Sequence, residues 1–189
     1  MPTGHTPKPP AVDLTPSLVL RLRQGDSAAG ALLDEIYRQK LIRFCFGYLG
    51  DAEAAEDVVQ DVFCKVLEDH TIPDNFRAWV YRISRNRCLD VLRTRARKKE
   101  SHQLPSESQL DAEITGNLTR LVRCEQKARL RHLLAGLPAN QREVLRLRYT
   151  EDLSRAEIAE VLSIRESVVK SRLFEGVEKL RQHESLEEG

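Results

Sequence analysis

Residues 51–99 read DAEAAEDVVQDVFCKVLEDHTIPDNFRAWVYRISRNRCLDVLRTRARKK, and their pattern indicates the architecture of the whole chain. Apolar residues recur every three or four positions in both halves, which is the period of a helix with one buried face. The first half, residues 51–74, carries eight acidic residues against one basic residue. The second half, residues 77–99, carries nine basic residues against one acidic residue. The sequence therefore predicts two successive helices of opposite charge.

The predicted acidic helix has an apolar side and a polar side. Its apolar side consists of Ala55, Val58, Val59, Val62, Phe63 and Val66. Its polar side carries Glu53, Asp57, Gln60, Asp61 and Glu68. A solvated face on an ordinary core helix is one interpretation. The carboxylates, however, lack the interleaved Lys or Arg residues that usually pair with them along a helix. The second interpretation is that this side of the helix binds a basic partner, and the lack of paired cations favours it.

The predicted basic helix, residues 76–98, carries three aromatic residues near its start. Phe76 lies in the apolar stripe, and core packing is favoured for it. For Trp79, at the edge of the stripe, core packing and base stacking are equally open. Tyr81 lies outside the stripe among arginines, so we expect it to be exposed and to stack on bases. Three arginines point away from the stripe: Arg82, Arg85 and Arg93. Cations of this kind neutralise phosphates, which favours a nucleic-acid partner.

Apolar residues spaced at the helical period occur along the rest of the chain too, and strand signals are nearly absent. We therefore predict an all-α protein made of two small helical domains joined by a flexible linker. The polar stretch SHQLPSESQLDAEITGN separates the two domains. The predicted divisions are a disordered tail at 1–17, a domain at 18–100, a linker at 101–117 and a domain at 118–184.

The second domain contains the signature of a helix-turn-helix. Ser154 and Glu157 have the spacing of a capping box, and Leu153 is placed to pack on Ile158. A short helix from this cap is followed by a longer one near Ser167, which is the arrangement of a helix-turn-helix. The second helix places hydroxyls and flanking cations on its outer side, as a recognition helix that binds in the major groove does. The residues involved are Ser167, Lys170, Ser171, Arg172 and Phe174.

Composition and motifs exclude several classes of protein. With 41% hydrophobic and 31% charged residues the chain is neither disordered nor fibrous. No apolar run approaches the roughly 20 residues that cross a bilayer, and the start lacks a signal-peptide pattern, so we expect a cytoplasmic protein without membrane contact. Phosphate-binding loops and the usual catalytic or metal-ligand spacings are missing, so no enzyme activity, cofactor or metal is predicted. The four cysteines are expected to be reduced and buried.

Four ordered motifs resemble one known family. They are AEDVVQDVF at 55–63, FRAWVYRISRNRCLDVLR at 76–93, LPANQREVLRLRY at 137–149, and LSRAEIAEVL at 153–162 followed by VVKSRL at 168–173. In order and spacing they resemble the sigma-70 family of bacterial RNA polymerase sigma factors. The similarity is to the extracytoplasmic-function (ECF) type, which has regions 2 and 4 alone. It covers nearly everything from residue 28 to residue 181.

The resemblance implies a role in promoter-specific transcription initiation, with core RNA polymerase and promoter DNA as partners. Clamp helices of the largest subunit would be bound by Asp57, Gln60 and Asp61. Binding and melting of the minus-ten element would involve Asn75, Phe76, Trp79, Tyr81, Arg82, Arg85 and Arg93. Duplex DNA at the minus-thirty-five element would be read by Arg165, Ser167, Lys170, Ser171, Arg172, Phe174 and Glu175. The second domain would also bind the flap of the second-largest subunit. An anti-sigma factor is a further candidate partner.

Two features leave room for other interpretations. A stand-alone helix-turn-helix transcriptional regulator would account for the second domain but would leave the first hundred residues unexplained.

The chain also departs from the family pattern, with Ser163 where Gly is frequent and Glu175 where Arg is frequent. A carboxylate at position 175 repels phosphate but can accept a hydrogen bond from cytosine. We also expect the two domains to be loosely coupled in the free protein.

Overall fold

A computed structural model of the protein describes residues 20–22, 24–69, 73–99, 134 and 136–187. Within these ranges the chain is helical and contains no strand, which confirms the all-α prediction. The helices are α1 (Ser27–Leu49), α2 (Ala52–Glu68), α3 (Phe76–Lys99), α4 (Ala139–Tyr149), α5 (Arg155–Leu162) and α6 (Glu166–Glu187). The predicted tail at 1–17 and the predicted linker at 101–117 lie outside the described residues.

Helices α1, α2 and α3 pack on one another and form the first unit. The left-handed Gly50 ends α1 with a φ of 64°, and Asp51 begins α2 by accepting a hydrogen bond from the Ala54 N–H at 3.2 Å. The predicted apolar side of α2 is buried, with Phe63 partly so. Burying one valine side chain stabilises a fold by about 1.5 kcal/mol or more. The four buried valines of α2 therefore hold it firmly against its neighbours.

Helices α4, α5 and α6 form the second unit, which has the predicted helix-turn-helix. The capping box is confirmed, because Ser154 Oγ accepts from the Glu157 N–H at 3.2 Å and Glu157 Oε2 accepts from the Ser154 N–H at 2.7 Å. Leu153 and Ile158 are both fully buried, as the predicted hydrophobic staple requires. The turn after α5 is made by Ser163, which has a left-handed φ of 54°.

Ser163 gives a testable stability prediction. A left-handed conformation costs a residue with a Cβ about 1 kcal/mol, whereas glycine adopts it freely. We therefore expect Ser163→Gly to raise the free energy of unfolding by about 0.5 to 1 kcal/mol in urea denaturation. The matched control is Ser171→Gly, the same change in the middle of α6, which should be destabilising. Equal destabilisation by both variants would contradict the account of this turn.

The two units pack together, and the expectation of loose coupling is wrong for this structure. Helix α3 of the first unit lies along α5 of the second, and the buried core is continuous across both units. The expectation failed because many of the residues that join the units are polar. The others lie on helix sides that the apolar pattern of the sequence assigned to solvent. Their contacts arise only when α4 and α5 dock on α1 and α3.

Candidate nucleic-acid interface

The start of α3 is built by Asn75 and two aromatic rings. Asn75 Oδ1 accepts a hydrogen bond from the Ala78 N–H at 3.0 Å, which makes Asn75 the cap of the helix. Phe76 is buried and meets Tyr37 edge to face, with ring centroids 5.8 Å apart. Trp79 is only 8% exposed and packs on Phe76 at 5.7 Å. Core packing of Phe76 is therefore confirmed, and Trp79 also belongs to the core.

Tyr81 does not have its predicted exposure. Its side chain is 1% exposed, and its ring meets Phe44 edge to face at 5.0 Å. The hydroxyl donates to Glu151 Oε2 at 2.8 Å, and burial raises the pKa of Tyr81 above its usual range. The prediction was wrong because α3 has a second buried side. Residues of the second unit, seventy positions away in sequence, cover this side.

The three predicted arginines of α3 lie in different environments. Arg93 is exposed and pairs with Asp90 on its own helix at 2.8 Å, while Arg82 is partly buried. Arg85 instead makes a bidentate contact with Glu143 of α4, with Nε to Oε1 at 2.7 Å and Nη2 to Oε2 at 3.2 Å. Arg93 is therefore the exposed arginine of this set, Arg82 is partly buried, and Arg85 is held by the second unit.

Arg77 belongs to the same contact region, although the sequence did not single it out. Its Nη2 donates to the backbone carbonyl of Glu151, and its Nη1 lies 3.7 Å from Glu157 Oε1.

Burial alone would raise the pKa of Glu143, but hydrogen bonds from Arg85 and Tyr48 outweigh it and hold that pKa below its usual range. The pKa of Glu151 is raised, chiefly by burial. Glu143 is thus an anion with strong partners on α1 and α3.

The polar side of α2 is exposed as predicted. Asp57, Gln60 and Asp61 all face solvent on this helix. Asp61 has a partner that the sequence analysis missed, because Arg87 of α3 donates to its Oδ2 at 2.6 Å. Both side chains are about half exposed, so the pair contributes about 1 kcal/mol or less and can exchange partners. The surface is available to a basic partner.

The outer side of α6 presents most of the predicted recognition residues. Exposed side chains on the helix are Ser167, Lys170, Ser171, Phe174 and Glu175, Arg172 is partly buried, and Arg165 is exposed just before the helix begins. Phe174 is 68% exposed, which is unusual for a large aromatic ring on a folded unit. Glu175 accepts a hydrogen bond from Gln141 Nε2 at 2.7 Å. A shallow depression of about 340 Å³ lies beside this face, between α6 and Asn140.

No three His, Cys, Asp or Glu side chains in the described ranges are grouped as a metal site. Cys45 and Cys88 are buried as expected, whereas Cys64 is exposed, and Cys124 lies outside the described residues. None of the helices in those ranges combines the length and apolar content that crossing a bilayer requires. The described helices present three polar surfaces: an acidic side on α2, basic groups on α3 and a polar side on α6.

Two family models match the chain. The one described as Sigma-70 region 2 matches residues 33–98, and the one described as Sigma-70, region 4 matches residues 127–180. The ECF RNA polymerase sigma factor SigW of Bacillus subtilis strain 168 is 30% identical over 177 residues, covering 87% of this chain and 93% of SigW. The chain belongs to the ECF sigma factors. Region 2 spans α2, most of α1 and nearly all of α3, and region 4 spans α4, α5 and most of α6.

Further relatives agree with this assignment. The RNA polymerase sigma-H factor of Pseudomonas aeruginosa is 31% identical to this ECF sigma factor over 170 residues, covering 83% of this chain and 86% of sigma-H. Among solved structures, CnrH in complex with the cytosolic domain of CnrY has a TM-score of 0.66 at 25% identity. That match covers 92% of this chain and 99% of CnrH. RpoE of Bartonella quintana, solved with the anti-sigma factor NepR, shares the fold with a TM-score of 0.57 and 24% identity.

Membership of the family decides between the two interpretations of the sequence. A stand-alone regulator left the first hundred residues without a role, whereas region 2 accounts for residues 33–98. As an ECF sigma factor the protein is a DNA-binding transcription initiation factor of RNA polymerase.

Proposed function

We propose that this sigma factor binds core polymerase through the acidic side of α2, melts the minus-ten element with α3 and reads the minus-thirty-five duplex with α6. The observation that carries the proposal is the exposed polar side of α2, which packs directly against the basic helix α3. One unit can therefore hold a basic surface of the polymerase and the promoter phosphates at once. The contact surface on the polymerase would be the clamp helices of the largest subunit, bound by Asp57, Gln60 and Asp61.

For the minus-thirty-five element, the proposal follows from the groups on α6. The major groove of B-DNA admits one helix, and its base edges accept and donate hydrogen bonds. Ser167 and Ser171 would offer hydroxyls there, while Lys170, Arg172 and Arg165 would contact phosphates. The exposed ring of Phe174 can contact a thymine methyl group. The same unit would bind the flap of the second-largest subunit.

For the minus-ten element, the proposal rests on the start and the cationic side of α3. Flipping a base out of the stack costs a few kcal/mol, which stacking and hydrogen bonds in a pocket must offset. Asn75 can donate from its amide nitrogen while its oxygen caps the helix. Arg82 and Arg93 would hold the strand backbone, with Arg85 and Tyr81 joining once the second unit moves away. Phe76 and Trp79 are buried, so they would form the apolar floor of the pocket that holds the flipped base.

An anti-sigma factor is proposed as a regulatory partner. CnrH was solved with the cytosolic domain of CnrY bound, and it matches this chain over 92% of its length. The polar and aromatic surfaces that we assign to DNA and polymerase are the ones that an inhibitor must cover. Co-purification of a tagged copy with a protein that blocks transcription by the reconstituted holoenzyme would identify such a partner.

Permanganate footprinting tests the melting proposal. The holoenzyme is reconstituted from sigma-free bacterial core polymerase and this protein, and genomic fragments that it retains are treated with permanganate, which oxidises unpaired thymines. We expect a short reactive patch just upstream of each start site, and no reactivity with core or sigma alone. Retained fragments without reactive thymines would contradict strand opening by this protein.

Glu175 gives a prediction for the duplex contact. A carboxylate in the groove face repels phosphates, so we expect Glu175→Arg to strengthen binding of the holoenzyme to promoter duplex. One added phosphate contact steepens the dependence of log K on log salt concentration by about 0.9. Glu175→Arg also removes the acceptor of the buried Gln141 amide, which lowers the stability of the second unit but does not change the salt slope. Binding isotherms at several salt concentrations give the slope, and an unchanged slope would place Glu175 away from DNA.

A further inference from the structure

Glu175 lies on the outer side of α6 and is held by a buried side chain of α4. Gln141 of α4 is 5% exposed, and its Nε2 donates to Glu175 Oε2 at 2.7 Å. A carboxylate accepts hydrogen bonds and donates none, so the amide must present its nitrogen here. Gln141 Oε1 is buried and meets no donor among the described residues. The bond to Glu175 therefore matters to this amide, because a buried donor without a partner is costly.

A close approach of α4 and α6 brings the two side chains together. Gly176, the neighbour of Glu175 in sequence, is buried where the two helices pack. A Cβ atom at position 176 would lie 2.9 Å from Leu145 Cδ1 and 3.6 Å from Gln141 Cβ. The first distance is shorter than Cβ contacts in folded proteins. The helices are thus close enough here for an amide rooted in the core to contact a carboxylate at the surface.

Glu175 keeps one carboxylate oxygen for a further partner. The residue is exposed, and its Oε1 accepts no hydrogen bond from the part of the chain that the structure describes. Glu175 follows Ser171 by one turn of α6, and both residues line the shallow depression beside this helix. On the side of α6 that we assign to duplex DNA, Glu175 therefore presents an acceptor whose orientation is already set.

The four bases differ in what they present to such an oxygen in the major groove. Guanine and thymine present acceptors there, which repel a carboxylate. Adenine presents the N6 donor beside the N7 acceptor, whereas cytosine presents the N4 donor alone. A carboxylate also repels the phosphates of every duplex alike, and a matching donor offsets this repulsion only at the right sequence. Glu175→Arg removes the repulsion for all sequences and removes this discrimination with it.

We propose that Glu175 selects cytosine at one position of the minus-thirty-five duplex and that Gln141 positions its carboxylate, an inference that rests on the proposed binding of α6 in the major groove. Gln141 holds the carboxylate before DNA arrives, so little side-chain freedom is lost on binding. A freely rotating glutamate could turn toward donors on neighbouring base pairs. The bond from α4 therefore narrows the preference to one base at one position.

The test selects duplexes with the reconstituted holoenzyme. A promoter found by transcription in vitro is rebuilt with every position of its minus-thirty-five element randomised, and the duplexes that the holoenzyme retains are sequenced. We expect one position at which the wild type prefers cytosine over every other base by about tenfold. Glu175→Gln keeps the size of the side chain but matches adenine N6 and N7, so the preference at that position should move to adenine. Glu178→Gln makes the same change three residues later in α6 and should leave the preference at cytosine.

Gln141→Leu tests the positioning role. Leucine has a similar volume but cannot donate to Glu175. The preference for cytosine should fall several-fold at that position and stay unchanged at all others, which a merely destabilised unit would not produce. A cytosine preference that survives in Gln141→Leu would overturn the positioning role. The same enriched site in Glu175→Gln and in Glu178→Gln would overturn the assignment of Glu175 while leaving the proposed function intact. A wild-type holoenzyme that enriches no sequence would refute the proposed function itself.

Discussion

Asp57→Arg is expected to lower the affinity of this sigma factor for core polymerase by roughly 100-fold. Asp57 is exposed in the middle of the acidic side of α2, so its replacement leaves the core of the first unit unchanged. A reversed charge that faces a basic surface costs several kcal/mol, and about 2.7 kcal/mol corresponds to 100-fold in the dissociation constant. Fluorescence anisotropy of labelled sigma factor, titrated with core polymerase, measures this constant.

Glu35→Arg is the matched control for that measurement. Glu35 is exposed on α1, outside the acidic side of α2, and its replacement makes the same change in net charge. We expect its affinity for core to stay within about twofold of the wild type, since an isolated surface charge contributes little. An Asp57→Arg protein that binds core as well as Glu35→Arg does would show that α2 is not the polymerase-binding surface.

We expect the double variant Arg82→Ala, Arg93→Ala to bind core polymerase with the affinity of the wild type. The fraction of promoter that its holoenzyme opens should fall at least about tenfold. Each lost contact to a single strand lowers the slope of log K against log salt concentration by about 0.7. The double variant should therefore show a slope that is shallower by about 1.4. Permanganate reactivity of promoter complexes, followed as a function of salt concentration, measures both effects.

Arg142→Ala serves as the control for this pair. Arg142 is an exposed cation of α4 outside both proposed DNA surfaces, so its loss should leave the slope unchanged. Open complexes that form equally well in the double variant and in Arg142→Ala would contradict the role of α3 in holding the melted strand. A loss of core binding by the double variant would contradict the separation of the two surfaces.

The helices and their caps could be predicted because their signals are local. The apolar side of α2 follows the helical period, and all its members except the partly buried Phe63 are buried. The capping box of α5 joins residues three positions apart, Ser154 and Glu157, so the sequence contains both partners side by side. The exposed residues of α6 were likewise placed by counting turns from Val169, which is buried.

The contacts between the two units could not be predicted in the same way. Tyr81 was expected to be exposed because it lies outside the main stripe of α3, yet Glu151 and Phe44 cover it. Asp61 was treated as unpaired because α2 lacks neighbouring cations, whereas Arg87 approaches from α3. Both partners are distant in sequence, and a polar residue gives no local sign of which helix will meet it. Gly47 lies beside Arg146 while Gly30 of the same helix has no close neighbour, so a glycine in α1 did not by itself mark the contact.

Transcription in vitro tests the central claim most directly. The protein is added to sigma-free bacterial core polymerase on a pool of genomic fragments from its source, and the 5′ ends of the RNA are sequenced. We predict discrete start sites that share two upstream elements, absent when the protein is omitted. Core that stays silent while the protein alone binds specific duplex sites would contradict the account and would establish a stand-alone regulator instead.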